Sequence, residues 1–247
     1  MRHVVGDRIG RTDFFRNAPF LSALVELLRA VRSPRILVHA AATGAEPYSL
    51  VMAARLAGLD DIAVYATDIE PSFLEIAKRG VYEEGSLGKV PREAMKFFLP
   101  GSEPGTVEVA PDVRASVTFL SPASFVAFQA NEAYDAVLAL NAMTYVSRQE
   151  QRRAIVALAA YARSYLCITA ASPAIVKEAL DAAGFEPVER PDWLKIYYGW
   201  WDRVRFRPGR REWALPLLPY VMKDWRYSAS TIFRRRPDHA ATGVRMA

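Results

Sequence analysis

The sequence predicts a doubly wound, mostly parallel α/β domain, and three observations predict it. Short β-prone runs alternate with helical stretches, the loops between them are short, and the composition is that of a globular chain. With 51% hydrophobic and 24% charged residues over a length of 247, a disordered or fibrous chain is excluded.

The elements follow in order. Arg35 to Ala40 (RILVHA) reads as a strand, followed by a turn around Thr43-Gly44 and a helix from Glu46 to Ala57, whose Leu50, Met52, Ala53 and Leu56 suit packing on a sheet. Ile62 to Ala66 (IAVYA) is a second buried strand, closed by Thr67-Asp68 and a helix from Pro71 to Arg79, with Pro71 in the first turn. Tyr134 to Leu140 (YDAVLAL) reads as a central strand, Gln149 to Tyr161 as a helix, Tyr165 to Ala170 as a strand, and Ile175 to Ala183 as a helix stopped at Gly184. Phe185 to Glu189 and Thr231 to Arg235 are weaker strand candidates. The resulting organisation is a helical element over 1–33, a sheet domain over 34–189, and a last strand with its tail over 231–247.

Two segments break the pattern. In 97–119, Pro100, Pro104 and Pro111 separate Val-containing pieces (TVEV, SVTF), which suggests a small inserted hairpin. In 190–230, aromatic residues and arginines are dense, an insertion expected either to form a substrate or interface segment or to cover the sheet edge and pack on the leading helix. Charge follows this division: 190–247 hold 13 Lys and Arg against 5 Asp and Glu, a net +8, and the remainder carries −3.

The single cysteine, Cys167, has no partner for a disulfide and sits between Leu166 and Ile168 as a buried strand residue. His3, His39 and His239 are scattered, and no spacing matches a metal site, so no metal is expected. His39 reads as a core residue first and a general base second. Apolar runs such as 154–160 are far shorter than the roughly 20 residues of a membrane span. Arg2, Asp7, Arg8 and Arg11 interrupt any signal-peptide core, and a cytoplasmic protein is expected.

In an open α/β sheet, ligands bind at the carboxyl ends of the strands where the order reverses. The loop Ala40-Ala41-Ala42-Thr43-Gly44-Ala45-Glu46 is made of small residues leading into a helix, which opens its backbone N–H groups to a ligand. It lacks the glycine fingerprint of dinucleotide sites. Asp68 stands 24 residues beyond Gly44, near the roughly 20 at which a carboxylate receives ribose hydroxyls, and an Asp at a strand end serves equally as a helix N-cap.

The stretch from Ile36 to Tyr82, containing AAATGAEPYSL and VYATDIEPSFLEIAKRGVY, resembles the CheR family of chemotaxis methyltransferases, with its GEEPYS loop and A-S/T-D-I strand end. Thr12-Asp13-Phe14-Phe15-Arg16 is similar to the family's T-x-F-F-R, and Asn141-Ala142-Met143-Thr144-Tyr145 to its N-V-M-I-Y-F. The resemblance covers about residues 10–170. It implies a seven-strand Rossmann-like methyltransferase sheet with S-adenosylmethionine as cofactor. Asp68 and the adjacent Ile69 would lie at the adenosyl ribose, Glu46 and the backbone of Ala41, Ala42, Thr43 and Gly44 near the methionyl part, and Asn141, Ser124 and Phe125 along the pocket. Thr12 and Arg16 would reach in from the leading segment. Arg16 and Tyr145 would be the catalytic pair, Arg16 holding an acceptor carboxylate and Tyr145 beside the sulfonium methyl.

The sequence departs from the family at several positions. Leu140 replaces an arginine before Asn141, Gly10 an asparagine, Ser124-Phe125 an N-L pair, and Thr169 to Pro173 a G-H-S-E segment. The family's N-terminal helical domain is reduced to about thirty residues here, and 190–230 has no counterpart. The expected activity is O-methylation of a carboxylate or hydroxyl on a non-chemoreceptor acceptor: a small anionic molecule, a saccharide or a protein glutamate. The alternative is an S-adenosylmethionine-binding sensor or scaffold that has lost turnover. Nucleic acid is not expected as a partner, since no recognition motif accompanies the arginines, whereas a homodimer through the aromatic segment is consistent with them.

Overall fold

A computed structural model describes residues 2–5, 8–130, 132–169, 173–200 and 224–239. The leading segment is less helical than the apolar stripe of Phe14, Phe15, Phe20, Leu21, Leu24, Leu27 and Leu28 suggests. Strands β1 (Arg2–Val5) and β2 (Arg8–Arg11) pair as an antiparallel ribbon, and the helix α1 spans only Ala18–Leu28. The paired runs HVV and RIG flank Gly6-Asp7 in the sequence, a hairpin signal separate from the apolar stripe that starts at Phe14. Asn17 starts α1 by accepting the Phe20 N–H on its side chain, and Pro19 sits in the first turn, where no N–H is missed.

The sheet elements then alternate: β3 (Arg35–His39), α2 (Ala45–Leu56), β4 (Ala63–Thr67) and α3 (Pro71–Arg79). β5 (Val81–Glu83), β6 (Phe98–Pro100) and β7 (Thr106–Val109) form a separate antiparallel sheet in the order β5-β7-β6. The helix α4 (Pro111–Ala115) leads into β8 (Val117–Phe119). After them come β9 (Tyr134–Ala139), α5 (Arg148–Tyr161), β10 (Ala162–Ile168), α6 (Pro173–Ala182), β11 (Phe185–Pro187), α7 (Trp193–Gly199), α8 (Trp225–Ala229) and β12 (Ile232–Arg235).

The expected hairpin over 97–119 is therefore divided. TVEV pairs with Phe98–Pro100 and also with Val81–Glu83, while the piece in SVTF leaves it to become an edge strand beside β4. The one turn of α4 between the two pieces separates them.

The main sheet has the order β11-β12-β10-β9-β3-β4-β8. Its strands run parallel except β12, which is antiparallel to both neighbours. The order reverses between β3 and β9, and the crevice at their carboxyl ends is the topological switch point. β9 is buried at all six positions, as a central strand covered on both faces must be. One core packs α1, α2 and the small sheet against one face, and the other packs α5 and α6 against the opposite face. Cys167 lies fully buried on β10, and burial pushes its thiol up. Among the described residues no helix is long and apolar enough to cross a membrane, and no cluster of His, Cys, Asp or Glu could hold a metal ion.

Candidate active site

The loop after β3 is bent by left-handed backbone at Ala40 (φ 62°), Ala42 (φ 47°) and Gly44 (φ 90°), and across the crevice Asn141, just beyond β9, has φ 56°. For alanine and asparagine such conformations are strained, and strain of this kind is retained where the surrounding structure needs a particular loop shape. Gly44 itself is required by packing: an added Cβ would lie 2.8 Å from the Cβ of Ala77 on α3 and 3.0 Å from the Tyr82 hydroxyl. Tyr82 also donates to the Thr43 carbonyl at 2.7 Å, and Tyr48 donates to the Ala77 carbonyl at 2.8 Å, so the loop is braced from beneath.

Asp68, beyond β4, is buried and faces this loop. Its carboxylate accepts the Ala42 N–H at 2.8 Å and the Glu70 N–H at 2.9 Å. The N-cap of α3 is Glu70, which accepts the Ser72 N–H, so Asp68 is not serving as that cap. The backbone N–H groups of Ala42, Glu70 and Ile69 occupy part of the roughly four acceptor sites of its carboxylate, leaving room for a hydroxyl donor. Burial raises its pKa, and the N–H groups of Glu70, Ala42 and Ile69 pull it back. Ile69 beside it is half exposed.

Glu46 opens α2 from the first turn, and burial pushes its carboxyl up to about 8, with the charge of Arg16 acting in the opposite direction. The Thr12 to Arg16 segment is held here by the Phe15 N–H, which donates to Ser49 Oγ at 2.9 Å, and by Phe14, whose ring meets Tyr82 edge-on at 4.9 Å. Thr12 is buried at the head of that segment.

The loop after β8 closes the crevice from the side. The Phe125 ring lies 4.6 Å from His39, and the Ala123 N–H donates to the Asp68 carbonyl. Ser124 Oγ accepts the Ala127 N–H at 3.2 Å. Burial holds His39 down to about 4, against a weaker upward pull from the Ser124 backbone.

Asn141 donates its backbone N–H to Thr169 Oγ1 at 2.6 Å, while its buried Nδ2 and the buried Thr43 Oγ1 have no hydrogen-bond partner. Buried polar atoms without partners are uncommon and mark places that suit a polar ligand. Asp68, the loop after β3, the loop after β8 and Asn141 thus border one crevice at the carboxyl ends of the strands, with donors and acceptors that suit a polar ligand. Tyr145 stands apart: it lies on the 3-10 turn Met143–Tyr145 and is 67% exposed, attached to the crevice through Asn141 rather than by packing.

Thr169 was missed by sequence reasoning, and the available signal was its position just past a strand end beside the switch point. Of the aromatic and arginine segment, Trp193, Trp225, Arg190 and Arg226 border a cleft of about 430 Å³ beside Pro187 and Val188, also at the carboxyl end of the sheet. Trp200 packs on Phe20 of α1 instead, with ring centroids 5.2 Å apart. Residues 201–223, including Arg203, Arg205, Arg207, Arg210 and Arg211, lie outside the described residues.

A seven-stranded sheet with its switch point beside a small-residue loop and a strand-end carboxylate is the fold of the S-adenosylmethionine-dependent methyltransferases. More narrowly, residues 10–171 match the family model of the CheR methyltransferase SAM-binding domain, and the chain belongs to that family. It is 32% identical over 152 residues to the chemotaxis protein methyltransferase of Escherichia coli K12, covering 57% of this chain and 52% of that one. It is 31% identical over 163 residues to chemotaxis protein methyltransferase 2 of Pseudomonas aeruginosa, covering 62% and 58%. The matches thus span little more than half the length of these relatives. Among solved structures, a magnesium protoporphyrin IX methyltransferase from Synechocystis PCC 6803 with bound SAH aligns over 73% of this chain and 81% of that one, at 14% identity and a TM-score of 0.46. That likeness is too loose to bear on the substrate.

Proposed function

We propose that this protein transfers a methyl group from S-adenosylmethionine to a carboxylate or hydroxyl oxygen of an acceptor other than a chemoreceptor. The observation that carries the reading is the convergence at the switch point of Asp68, the braced 41–46 loop, and the unpartnered Asn141 Nδ2. Asp68 accepts the ribose hydroxyls on its remaining lone pairs, Asn141 and Thr43 supply the polar lining, and Phe125 with Ser124 forms the side wall. Glu46 faces the cationic tail, which draws its carboxyl into the charged form. When bound, S-adenosylmethionine supplies an electrophilic sulfonium methyl. The chain's own work is then alignment and exclusion of water. Arg16, whose charge acts on Glu46, borders the cofactor's methionyl end and turns its planar guanidinium to an acceptor carboxylate, and Tyr145 sets the acceptor's angle.

Calorimetric titration with S-adenosylhomocysteine tests the placement. Micromolar binding is expected, and Asp68→Ala should weaken it by about 10- to 100-fold, the effect of removing an ionised acceptor from buried hydroxyl donors. Absence of binding to the unaltered protein would refute the reading.

The sensor alternative draws on Leu140, Gly10 and Ser124, where the sequence departs from the family. Tyr145→Phe separates the two. An enzyme loses turnover at unchanged S-adenosylhomocysteine affinity, whereas a sensor's output is untouched.

A further inference from the structure

The family-matched residues end at 171, yet a later segment is built onto the T-x-F-F-R stretch. Asn17 directly follows Arg16 and is buried. Its Oδ1 caps α1 by accepting the Phe20 N–H at 3.0 Å, and its Nδ2 donates to the Ile196 carbonyl of α7 at 2.8 Å. α7 is fitted closely around that side chain: a Cβ on Gly199 would fall 2.3 Å from Asn17 Oδ1. Asn17 could not step aside without breaking the cap and the α7 bond together.

Both ends of α7 are tied down. Arg190, ahead of it, bonds Glu26 of α1 at 2.8 Å. Trp200, behind it, packs at a tilt against Phe20 and donates from Nε1 to Thr231 Oγ1 at 2.9 Å. The Thr231 carbonyl accepts the Ile168 N–H at 3.0 Å, and the next residue, Thr169, accepts the Asn141 N–H. Hydrogen bonds and the backbone between them therefore link Asn17, the neighbour of Arg16, through α7, Thr231 and the end of β10 to Asn141 on the far side of the crevice.

We propose that α7, outside the family domain, is a working part of the active site, and that the Asn17–Ile196–Gly199 clamp positions Arg16. Asn17 and Gly199 are positioning residues, since they touch Arg16's backbone neighbourhood and not the reacting atoms. The inference rests on the placement of Arg16 at the cofactor crevice given under the proposed function.

The test is a double-mutant cycle read by S-adenosylhomocysteine calorimetry, with melting measured alongside. Asn17→Ser keeps a capping oxygen on α1 but is too short to reach Ile196. Gly199→Ala disturbs the clamp from the α7 side and leaves the cap residue intact, so one variant remains informative if the other does not fold. Each should weaken binding about fivefold or more when Arg16 is present, and neither should weaken it further when combined with Arg16→Ala. A purely structural role would lower melting temperature and weaken binding by the same factor in both backgrounds. That result, or unchanged affinity in both clamp variants, would overturn the inference. Unchanged affinity in Arg16→Ala alone would instead remove the placement of Arg16, and the clamp proposal with it.

Discussion

Glu46, half-buried, and His39, buried, are two titratable groups at one crevice, and their opposite shifts make opposite demands on pH. Glu46 titrates near 8 in the folded chain against an ordinary 4.5, so its contribution to stability is intact below 4.5 and is lost as pH rises towards 8. Glu46→Gln should therefore raise the melting temperature of the ligand-free protein by roughly 5 °C at pH 8, a gain that vanishes by pH 4.5, while weakening S-adenosylhomocysteine about tenfold. His39 titrates near 4 against an ordinary 6.5, so its contribution is intact above 6.5 and is lost as pH falls towards 4. His39→Phe, which keeps an aromatic ring beside Phe125 and Phe128, should match the parent at pH 7 and exceed it by about 2–3 kcal/mol at pH 4.5, measured by urea unfolding. Equal acid sensitivity of the two proteins would exclude His39 as a cause. At this scale the positions of Asp68 and Asn141 at strand ends were legible, the first from periodicity and the second from the family resemblance. The acceptor role of Thr169 and the bond from Asn17 to α7 were not, since their partners lie 28 and 179 positions away in sequence.

Among the elements, α2 and α5 show the contrast between local and tertiary encoding. Helix α5 is announced by Ser147 and Glu150, which form a capping box at its start, and Ser147→Ala should cost about 1 kcal/mol in denaturant unfolding with no change in ligand affinity. Helix α2 begins instead at Gly44 without any side-chain cap, and its position depends on contact with Ala77 and Tyr82. Gly44→Ala meets both the left-handed φ of 90° and the 2.8 Å approach to Ala77, so a loss of about 2–3 kcal/mol is expected together with weakened S-adenosylhomocysteine binding. The strands that sequence reasoning placed least well, Val81–Glu83 and Val117–Phe119, are three residues each. A run that short carries too little alternation to declare its sheet, and β8 is recruited by β4 through tertiary pairing. The ribbon β1-β2 was overlooked for a different reason: an apolar stripe downstream of it suggested a helix, although the stripe begins only at Phe14.

For the whole molecule, the parallel half of the sheet could be read from the alternation of elements, while the position of the last strand could not. Nothing in the weak run 231–235 says that it enters between β10 and β11 rather than adding at an edge. Its burial does: Ile232 and Phe233 are 3% and 1% exposed, and Arg235 bonds the carbonyls of Ala159 and Ala162 at the close of α5. Because β11 meets the rest of the sheet through β12, a chain lacking 224–239 would hold a vacant slot with a backbone ladder on either side. Such a chain should melt less cooperatively than the full protein, and calorimetry would show it. The same slot makes the fold divisible: a separate peptide carrying the β12 sequence would find two waiting partners, and its capture would report, through Thr231 and Trp200, on assembly of the crevice itself.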